Sequence, residues 1–201
     1  AALSSSSESH GEPLVSPSEK KALGEVNDCK ELTQTQRQEI YDIVISHPNI
    51  FAVTTAQRSP GQIDEMNLAR ATQEAFAESI EMLVSNHNLP FEEVYAIVDG
   101  RTSPKLYASE REQSDSGKGF QKCFPIRPYV DGDANVYTVA LASIVARVTR
   151  DAIMKELDKQ YPEYGFVDHL GYGRRDHVER IHQLGSLEGV HRMSFKQVRG
   201  R

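Results

Sequence analysis

Two aspartates, Asp99 and Asp133, have the residue type and the sequence context of metal ligands. Asp99 ends the apolar run VYAIV (94–98), and Asp133 belongs to the short sequence DGDA (131–134). Each lies in or beside an Asp–Gly pair, a common turn signal, so a plain turn former is the alternative interpretation for both. Two carboxylates that converge in a fold repel each other unless a cation joins them. Magnesium and manganese accept such oxygen ligands, and pairs of these ions support phosphodiester cleavage.

The elements around these aspartates are suited to bring them together. The apolar run before Asp99 predicts a strand that enters a core. Asp133 precedes a long helical pattern that is dense in small residues, namely Ala140, Ala142, Ser143 and Ala146. Small residues allow a helix to lie close against a sheet. The sequence therefore predicts that Asp133 lies at the end of the strand that carries Asp99.

The rest of the chain predicts an α/β or α+β layered domain. From the N-terminal side, the sequence predicts a helix with a capping box at Thr33 and Gln36, a strand at 50–57 and one amphipathic helix from Ile63 to Leu83. The strand before Asp99 follows, and then a short strand and turn in FPIRPYVDGDA (124–134). The last two predicted elements are a long helix ended by Pro162 and a helix closed by Gly185. Residues 1–24 are Ser-rich and predict a disordered leader. Residues 25–201 predict one domain with an exposed loop at 107–122.

Composition and motifs exclude several classes of function. No run approaches the ~18 apolar residues that a membrane span needs. The sequence has neither the G-x-S-x-G elbow of serine hydrolases nor a GxxxxGK[ST] phosphate loop. Its two cysteines lack metal-binding spacing, which favours a reducing compartment, and a cytoplasmic location is expected, with an organelle as the alternative. His177 and His182 in HVERIH are five residues apart, unlike zinc ligands on a helix, and are expected at the surface or an interface.

Charge is unevenly distributed along the chain. The net charge is −6, but the part from Arg147 to Arg201 has more Lys and Arg than Asp and Glu. A modest basic face on an acidic protein favours a local contact with a polyanion over non-specific coating of nucleic acid.

Six motifs resemble, in order, those of type 2 ribonuclease H, the bacterial ribonuclease HII group. They are NDCKELT (27–33), IDEMNLARAT (63–72), VDGRTSPKL (98–106), GDANVYTVALASIVARVTRD (132–151), YPEYGFVDHLGYG (161–173) and HRMSF (191–195). The resemblance extends from about Glu25 to Arg199. Six ordered motifs over this length make a very specific match.

The resemblance implies an RNase H-like mixed sheet flanked by helices, with further helices at the C-terminus. It implies a monomeric endoribonuclease that acts on RNA–DNA hybrids and on duplex DNA containing ribonucleotides, and that cuts 5′ of a ribonucleotide. Asp99 and Asp133 match two of the family's four catalytic carboxylates, which hold magnesium or manganese, two ions in the implied mechanism. Tyr172 matches the tyrosine that packs against the deoxyribose beyond the junction, with a core tyrosine as the alternative. Asn27 and Lys30 match the segment that contacts the substrate backbone.

One family motif is not found in this sequence. The family begins with a strand ending in G-[IV]-D-E-A-G-R-G-P, whose Asp and Glu are the other two metal ligands. Its absence predicts an N-terminally incomplete domain that lacks the first strands of the sheet. Two functions follow: a type 2 ribonuclease H, or a catalytically inactive relative that binds RNA–DNA hybrid or a partner protein. Of the remaining motif residues, Asp151 is expected to cap or pair within its helix, and Arg147 replaces a family lysine with a cation of different geometry.

Overall fold

The computed structural model describes residues 15–26, 31–90, 94–104 and 125–199. The predictions for residues 1–14, for Asn27 and Lys30, and for the loop at 107–122 lie outside the described residues. Within them, the chain folds into helices and one small parallel sheet, which confirms the predicted α/β class.

Helices make up most of the described chain. They are α1 (Pro17–Gly24), α2 (Gln34–Ser46), α3 (Pro60–Met66), α4 (Leu68–Asn86), α5 (Gly132–Asn135), α6 (Tyr137–Gln160), α7 (Phe166–His169), α8 (Arg175–Leu184) and α9 (Lys196–Arg199), with a 3-10 turn at Pro162–Tyr164. The strands β1 (Ala96–Asp99) and β2 (Ile126–Tyr129) fall between α4 and α5. In this part of the chain, no helix combines the length and the apolar character needed to span a membrane.

The two strands form a parallel sheet that sets the position of the candidate site. Ala96 pairs with Ile126, and Asp99 pairs with Tyr129. Gly100 N–H continues the ladder by donating to Tyr129 O at 2.9 Å. Because parallel strands end at the same edge of a sheet, the chain that leaves β2 passes close to the end of β1. That chain enters α5, so α5 begins beside Asp99.

The main core forms where the long helix α6 packs against α2. A buried apolar cluster joins them: Leu32, Ile40, Val44, Leu141, Ile144, Val145 and Val148. The members from α6 recur every three or four residues and therefore share one face of the helix. Ile144 is completely buried. This burial holds α6, the helix that connects the two parts of the candidate site.

A second, smaller core holds the C-terminal part of the chain. Tyr164, Phe166 and Ile181 are buried there, and the rings of Tyr164 and Phe166 stack with their centroids 5.7 Å apart. Tyr164 OH donates to Gly185 O at 2.8 Å. Gly185 has φ +89° and ends α8, a conformation that glycine adopts without steric cost. The predicted closing role of Gly185 is confirmed.

The prediction of a strand at 50–57 is wrong. Residues 51–59 have no regular secondary structure. Phe51 and Val53 instead pack on the main core, and Thr54 Oγ1 donates to Ser79 O of α4 at 2.7 Å. β-Branched residues favour a strand only where another strand is available for pairing, and among the described residues none pairs with this segment.

The single amphipathic helix predicted from Ile63 to Leu83 is two helices, α3 and α4. Asn67 separates them and has φ +71°. Its Oδ1 accepts a hydrogen bond from Arg70 N at 3.1 Å and so caps α4. Asparagine is a favoured N-cap, so this side-chain hydrogen bond lets α4 begin directly after the break at Asn67.

The structure also differs from the disordered leader predicted for residues 1–24, because α1 occupies the last part of it. Ser16 forms a capping box, in which Glu19 N donates to Ser16 Oγ at 3.3 Å and Ser16 N donates to Glu19 Oε2 at 2.7 Å. Pro17 takes the first helical position, where its missing N–H costs nothing. Leu23 packs on the main core. Local capping and this apolar contact together order α1.

Candidate active site

Asp99 lies at the carboxyl end of β1 with its side chain exposed. Its Oδ1 accepts a hydrogen bond at 2.8 Å from the backbone N–H of Gly132, the first residue of α5. The approach is close, since a Cβ on Gly132 would lie 3.2 Å from Val139 Cγ1 and 3.4 Å from Asp99 Oδ1. A backbone donor therefore holds the Asp99 carboxylate against the start of α5.

Asp133 follows Gly132 directly and is buried, with 7% of its surface exposed. Asp131, the residue before Gly132, has φ +52° and turns the chain from β2 into α5. Because Gly132 donates to Asp99 and is bonded to Asp133, the backbone of Asp133 lies close to the Asp99 carboxylate. Asp131 and Asp133 therefore have different parts in DGDA. Asp131 forms the turn, and Asp133 follows it on the side of Asp99.

The two carboxylates suit a hard divalent cation in chemical type. Magnesium is commonly bound by one or two protein carboxylates and completes its octahedron with water and substrate phosphate oxygens. Within the residues that the structure describes, no group of three or more His, Cys, Asp or Glu could hold a metal ion. In chemical type, Asp99 and Asp133 could contribute oxygen ligands to one divalent ion, with water and substrate oxygens completing its coordination.

Tyr172, the predicted nucleic-acid contact, lies in the turn after α7 and is 42% exposed, so it is not a core residue. The guanidinium carbons of Arg150 and Arg147 lie 4.6 Å and 5.2 Å from its ring centroid. Such cation–π contacts stabilise one orientation of the ring. Tyr172 N donates to His169 O at 2.9 Å, and Tyr172 O accepts from Arg174 N at 2.8 Å. An exposed aromatic ring is thus attached to a well-held turn.

The two arginines beside Tyr172 are held by Asp151. Its Oδ1 lies 3.6 Å from Arg147 Nε and 3.9 Å from Arg150 Nη1, and its side chain is 6% exposed. These distances exceed hydrogen-bond length, so the attraction is chiefly electrostatic. Of the two expected roles of Asp151, capping or pairing within its helix, the pairing is confirmed, and it places a negative charge beside the two cations that contact Tyr172.

Helix α6 connects Asp99 and Asp133, which we call the acid pair, to Tyr172. Val139, near its start, borders Gly132, whereas Arg147 and Arg150 contact Tyr172. At 1.5 Å per residue, these arginines lie roughly 12 to 17 Å along the helix from Val139. The two parts of the candidate site are therefore separate contact points on one rigid element.

Asp64 joins two of the sequence motifs that are distant along the chain. It accepts hydrogen bonds from Met193 N at 2.6 Å and Ser194 N at 3.0 Å, and also from the Ser194 hydroxyl. The Ser194 hydroxyl and these backbone donors lower the pKa of the Asp64 carboxyl. Asp64 is thus a structural anchor between IDEMNLARAT and HRMSF, and sequence reasoning did not detect this role.

Three buried histidines, His169, His177 and His191, form what we call the histidine cluster; they are 2%, 5% and 5% exposed. The prediction of a surface or interface position is wrong for His177, whereas His182 is exposed as predicted. A usable signal was present, because His177 and the buried Ile181 are four residues apart and share one face of α8. The cluster packs around Phe166, whose ring centroid lies 5.6 Å from that of His177.

Comparison with known proteins decides the family. The family model described as Ribonuclease HII matches residues 14–198. The chain belongs to the ribonuclease HII family. A Ribonuclease HII of Fusobacterium nucleatum is 36% identical over 173 residues, which cover 86% of this chain and 71% of the relative. A Ribonuclease HII of Francisella tularensis is 35% identical over 179 residues, covering 89% and 82%.

Two solved structures resemble this ribonuclease HII in fold. One is the PCNA:RNase HII complex from Archaeoglobus fulgidus, with a TM-score of 0.56 and 22% identity, covering 89% of this chain and 82% of that one. The other is the ribonuclease H2 from Pyrococcus horikoshii OT3, with a TM-score of 0.53 and 23% identity, covering 92% and 84%. At this identity the likeness concerns the fold alone.

Membership in the ribonuclease HII family confirms the family and the enzyme class, a hydrolytic nuclease, that the six motifs predicted. The individual roles of Asp99, Asp133, Tyr172, Asn27 and Lys30 stay predictions. Of these residues, Asp99 lies against Gly132, the neighbour of Asp133. Tyr172 is exposed and contacts Arg147 and Arg150 of α6.

Proposed function

We propose that this ribonuclease HII is an endoribonuclease that cleaves the RNA strand of RNA–DNA hybrids, and duplex DNA containing ribonucleotides, on the 5′ side of a ribonucleotide. The observation that carries the proposal is the hydrogen bond from Gly132 N–H to Asp99 Oδ1, because it holds one carboxylate at the end of a strand against the residue that precedes Asp133. Their chemistry fits phosphodiester hydrolysis, and the family match supports the substrate class.

Asp99 and Asp133 are the residues that would hold magnesium or manganese, two ions in the full reaction. Such ions, when bound, neutralise charge on the scissile phosphate and lower the pKa of the attacking water. The chain's own contribution is positional. The Gly132 N–H fixes the exposed Asp99 carboxylate, and the turn at Asp131 fixes the buried Asp133 beside it.

Tyr172 is proposed to pack against the deoxyribose that follows the ribonucleotide. An aromatic face in contact with a sugar favours the one that lacks a 2′-hydroxyl. Arg147 and Arg150 support the ring and place positive charge where a nucleic-acid backbone would pass. Asn27 and Lys30, which lie outside the described residues, are proposed to contact the substrate backbone.

A second candidate function is binding of RNA–DNA hybrid without cleavage. The observation that favours it is that, among the described residues, no group of three or more His, Cys, Asp or Glu could hold a metal ion. A two-ion mechanism is better supported by more ligands than Asp99 and Asp133.

A cleavage assay separates the two candidates. The substrate is duplex DNA with one ribonucleotide, in the presence of manganese, and the variants are Asp99→Asn and Asp131→Asn. The second is a matched control, because it removes the same charge two residues from Asp133 and asparagine tolerates the positive φ of that position. We expect a cut 5′ of the ribonucleotide, a rate at least about 100-fold lower in Asp99→Asn, and a near-normal rate in Asp131→Asn.

Two results would argue against cleavage by this site. Equal rates in Asp99→Asn and the unmodified chain would remove Asp99 from the reaction. A folded chain that binds the ribonucleotide-containing duplex without cutting it would favour the second candidate.

A further inference from the structure

The histidine cluster lies directly under the turn that carries Tyr172. The rings of His169 and His177 stack with centroids 4.0 Å apart, and the ring of His191 lies 5.5 Å from that of His177. Phe166 closes the other side of the cluster, with its centroid within 5.8 Å of all three rings. Buried imidazoles need a hydrogen-bond partner for each polar atom, so their partners define what they do.

The hydrogen bonds of His191 and His177 can be assigned donor by donor. Leu187 N–H lies 2.9 Å from His191 Nδ1 and can only donate, so His191 Nδ1 is unprotonated and the ring carries its proton on Nε2. Tyr172 O lies 2.9 Å from His177 Nδ1 and can only accept, so His177 carries its proton on Nδ1. His177 Nε2 is then free to accept from His191 Nε2–H, which lies 3.3 Å away.

The result is one directed chain of three hydrogen bonds. It runs from Leu187 N–H through His191 and His177 to Tyr172 O, and every polar atom of both rings takes part with both rings neutral. His169 also has a partner for each ring nitrogen, because Gly171 N–H donates to its Nδ1 at 3.2 Å and its Nε2 lies 3.0 Å from Tyr164 O.

We infer that His177, supported by His191, is a positioning residue for Tyr172 and sets how well the enzyme distinguishes ribonucleotide-containing duplex from plain DNA. The inference rests on the proposed role of Tyr172 as a sugar contact. The ring of Tyr172 is exposed and fixed on one side by Arg147 and Arg150. The turn beneath it is fixed from the core by His177 Nδ1–H. A stacking ring discriminates between sugars only when its backbone is held in place. A misplaced ring would contact a ribose and a deoxyribose about equally, and the difference in affinity would be lost.

The chain of hydrogen bonds requires both rings to be neutral. A proton added to His177 Nε2 would face His191 Nε2–H, and a proton added to His191 Nδ1 would face Leu187 N–H. Burial lowers the pKa of both His177 and His191 below 6.5, and neighbouring histidines lower it further. The titratable or charged groups that face the pair are His169, Tyr164, Asp176 and Arg180. Of these, Asp176 raises and Arg180 lowers the pKa of His177, after the dominant effect of burial.

A double-mutant cycle tests the inference. The dissociation constants of the full chain for duplex DNA with one ribonucleotide and for all-DNA duplex are measured without divalent ion, so that no cleavage occurs. The variants are Tyr172→Ala, His177→Leu, their combination, and His177→Asn, which keeps a donor toward Tyr172 O. We expect Tyr172→Ala and His177→Leu each to reduce the preference for the ribonucleotide by about 5- to 100-fold, the range that one stacking contact supplies.

The non-additive result is the decisive one. If His177 acts through Tyr172, the combined variant loses no more preference than Tyr172→Ala alone, and His177→Asn retains most of it. A purely structural histidine would instead weaken binding to both duplexes alike, or add its loss to that of Tyr172→Ala, and either outcome overturns the inference. Loss of preference in Tyr172→Ala with none in His177→Leu overturns the inference alone. No loss in Tyr172→Ala overturns the role of Tyr172 as well.

A second measurement uses only the unmodified chain and Tyr172→Ala, a change at a 42% exposed position outside both apolar cores. The preference for the ribonucleotide is measured from pH 8 down to the onset of unfolding. It should fall with pH in the unmodified chain and stay flat in Tyr172→Ala. The same pH dependence in both proteins would overturn the inference, including in the case that His177→Leu does not fold.

Discussion

The close contact between Gly132, Val139 and Asp99 gives a sharp test of how the acid pair is held. In Gly132→Ala the new Cβ would lie 3.2 Å from Val139 Cγ1 and 3.4 Å from Asp99 Oδ1. Carbon atoms in good contact are about 3.5 to 4.0 Å apart, so Val139 must give by a few tenths of an ångström, whereas the distance to Asp99 Oδ1 is an ordinary contact. Overpacking of this kind costs about 1 to 3 kcal/mol of the free energy of unfolding.

Val139→Ala provides the matched rescue, because it removes the Cγ1 atom that the new Cβ would meet. Alone, this change deletes buried methyl groups and costs about 1 to 3 kcal/mol. In the combined variant the added methyl occupies part of the vacated space. We therefore expect the combined loss to be smaller than the sum of the single losses by about 1 kcal/mol.

The assays are urea unfolding for the free energy and titration with manganese for the acid pair. Manganese affinity should fall in Gly132→Ala, because a shift of the Gly132 backbone away from Val139 would weaken the hydrogen bond that holds Asp99 Oδ1, and should recover in part when Val139→Ala is added. Strictly additive free energies would refute the described packing. A loss of stability in Gly132→Ala with unchanged manganese affinity would refute the link between this packing and Asp99.

Three further predictions follow from other parts of the molecule. Divalent-ion binding measured by calorimetry should be weak, should disappear in Asp99→Asn and should persist in Asp131→Asn; binding that survives in Asp99→Asn would exclude Asp99 as a ligand. Ile144→Ala should lower the free energy of unfolding by about 2 to 5 kcal/mol, because Ile144 is completely buried, whereas Ile153→Ala on the same helix, at a 37% exposed position, should cost far less; equal costs would contradict the packing of α6. The contribution of His177 and His191 to the free energy of unfolding should be fully present above pH 6.5, the ordinary pKa of histidine. It should be lost as the pH drops through their lowered folded-state pKa values, because the unfolded chain then binds more protons. An unchanged urea midpoint between pH 7 and pH 5 would show that these rings are not held neutral.

Much of this molecule is determined by local sequence. The helix Tyr137–Gln160 follows from its own apolar spacing and the proline after it, and the strand Ala96–Asp99 follows from a short apolar run that ends at an Asp–Gly pair; the strand Ile126–Tyr129 has no such run and is indicated mainly by the turn residues that follow it. The motifs that identify the ribonuclease HII family are local as well. The turn at Asp131 was one interpretation that the local sequence offered, and the small residues of the long helix predicted Asp133 near the end of the Asp99 strand, whereas the parallel pairing of the two strands came from the structure alone.

Other features were decided by contacts between distant segments. The run at 50–57 has strand-like composition, but its side chains pack on the main core and no described strand pairs with it, since pairing depends on a partner elsewhere in the chain. His177 has the sequence context of a surface residue, yet Phe166 and His191 enclose it. Its protonation and its bond to Tyr172 exist only because Leu187 and Tyr172 present a backbone donor and a backbone acceptor at the two ends of the pair. Periodicity and propensity act within one segment, whereas burial and hydrogen-bond direction are set by atoms that only the tertiary structure brings together.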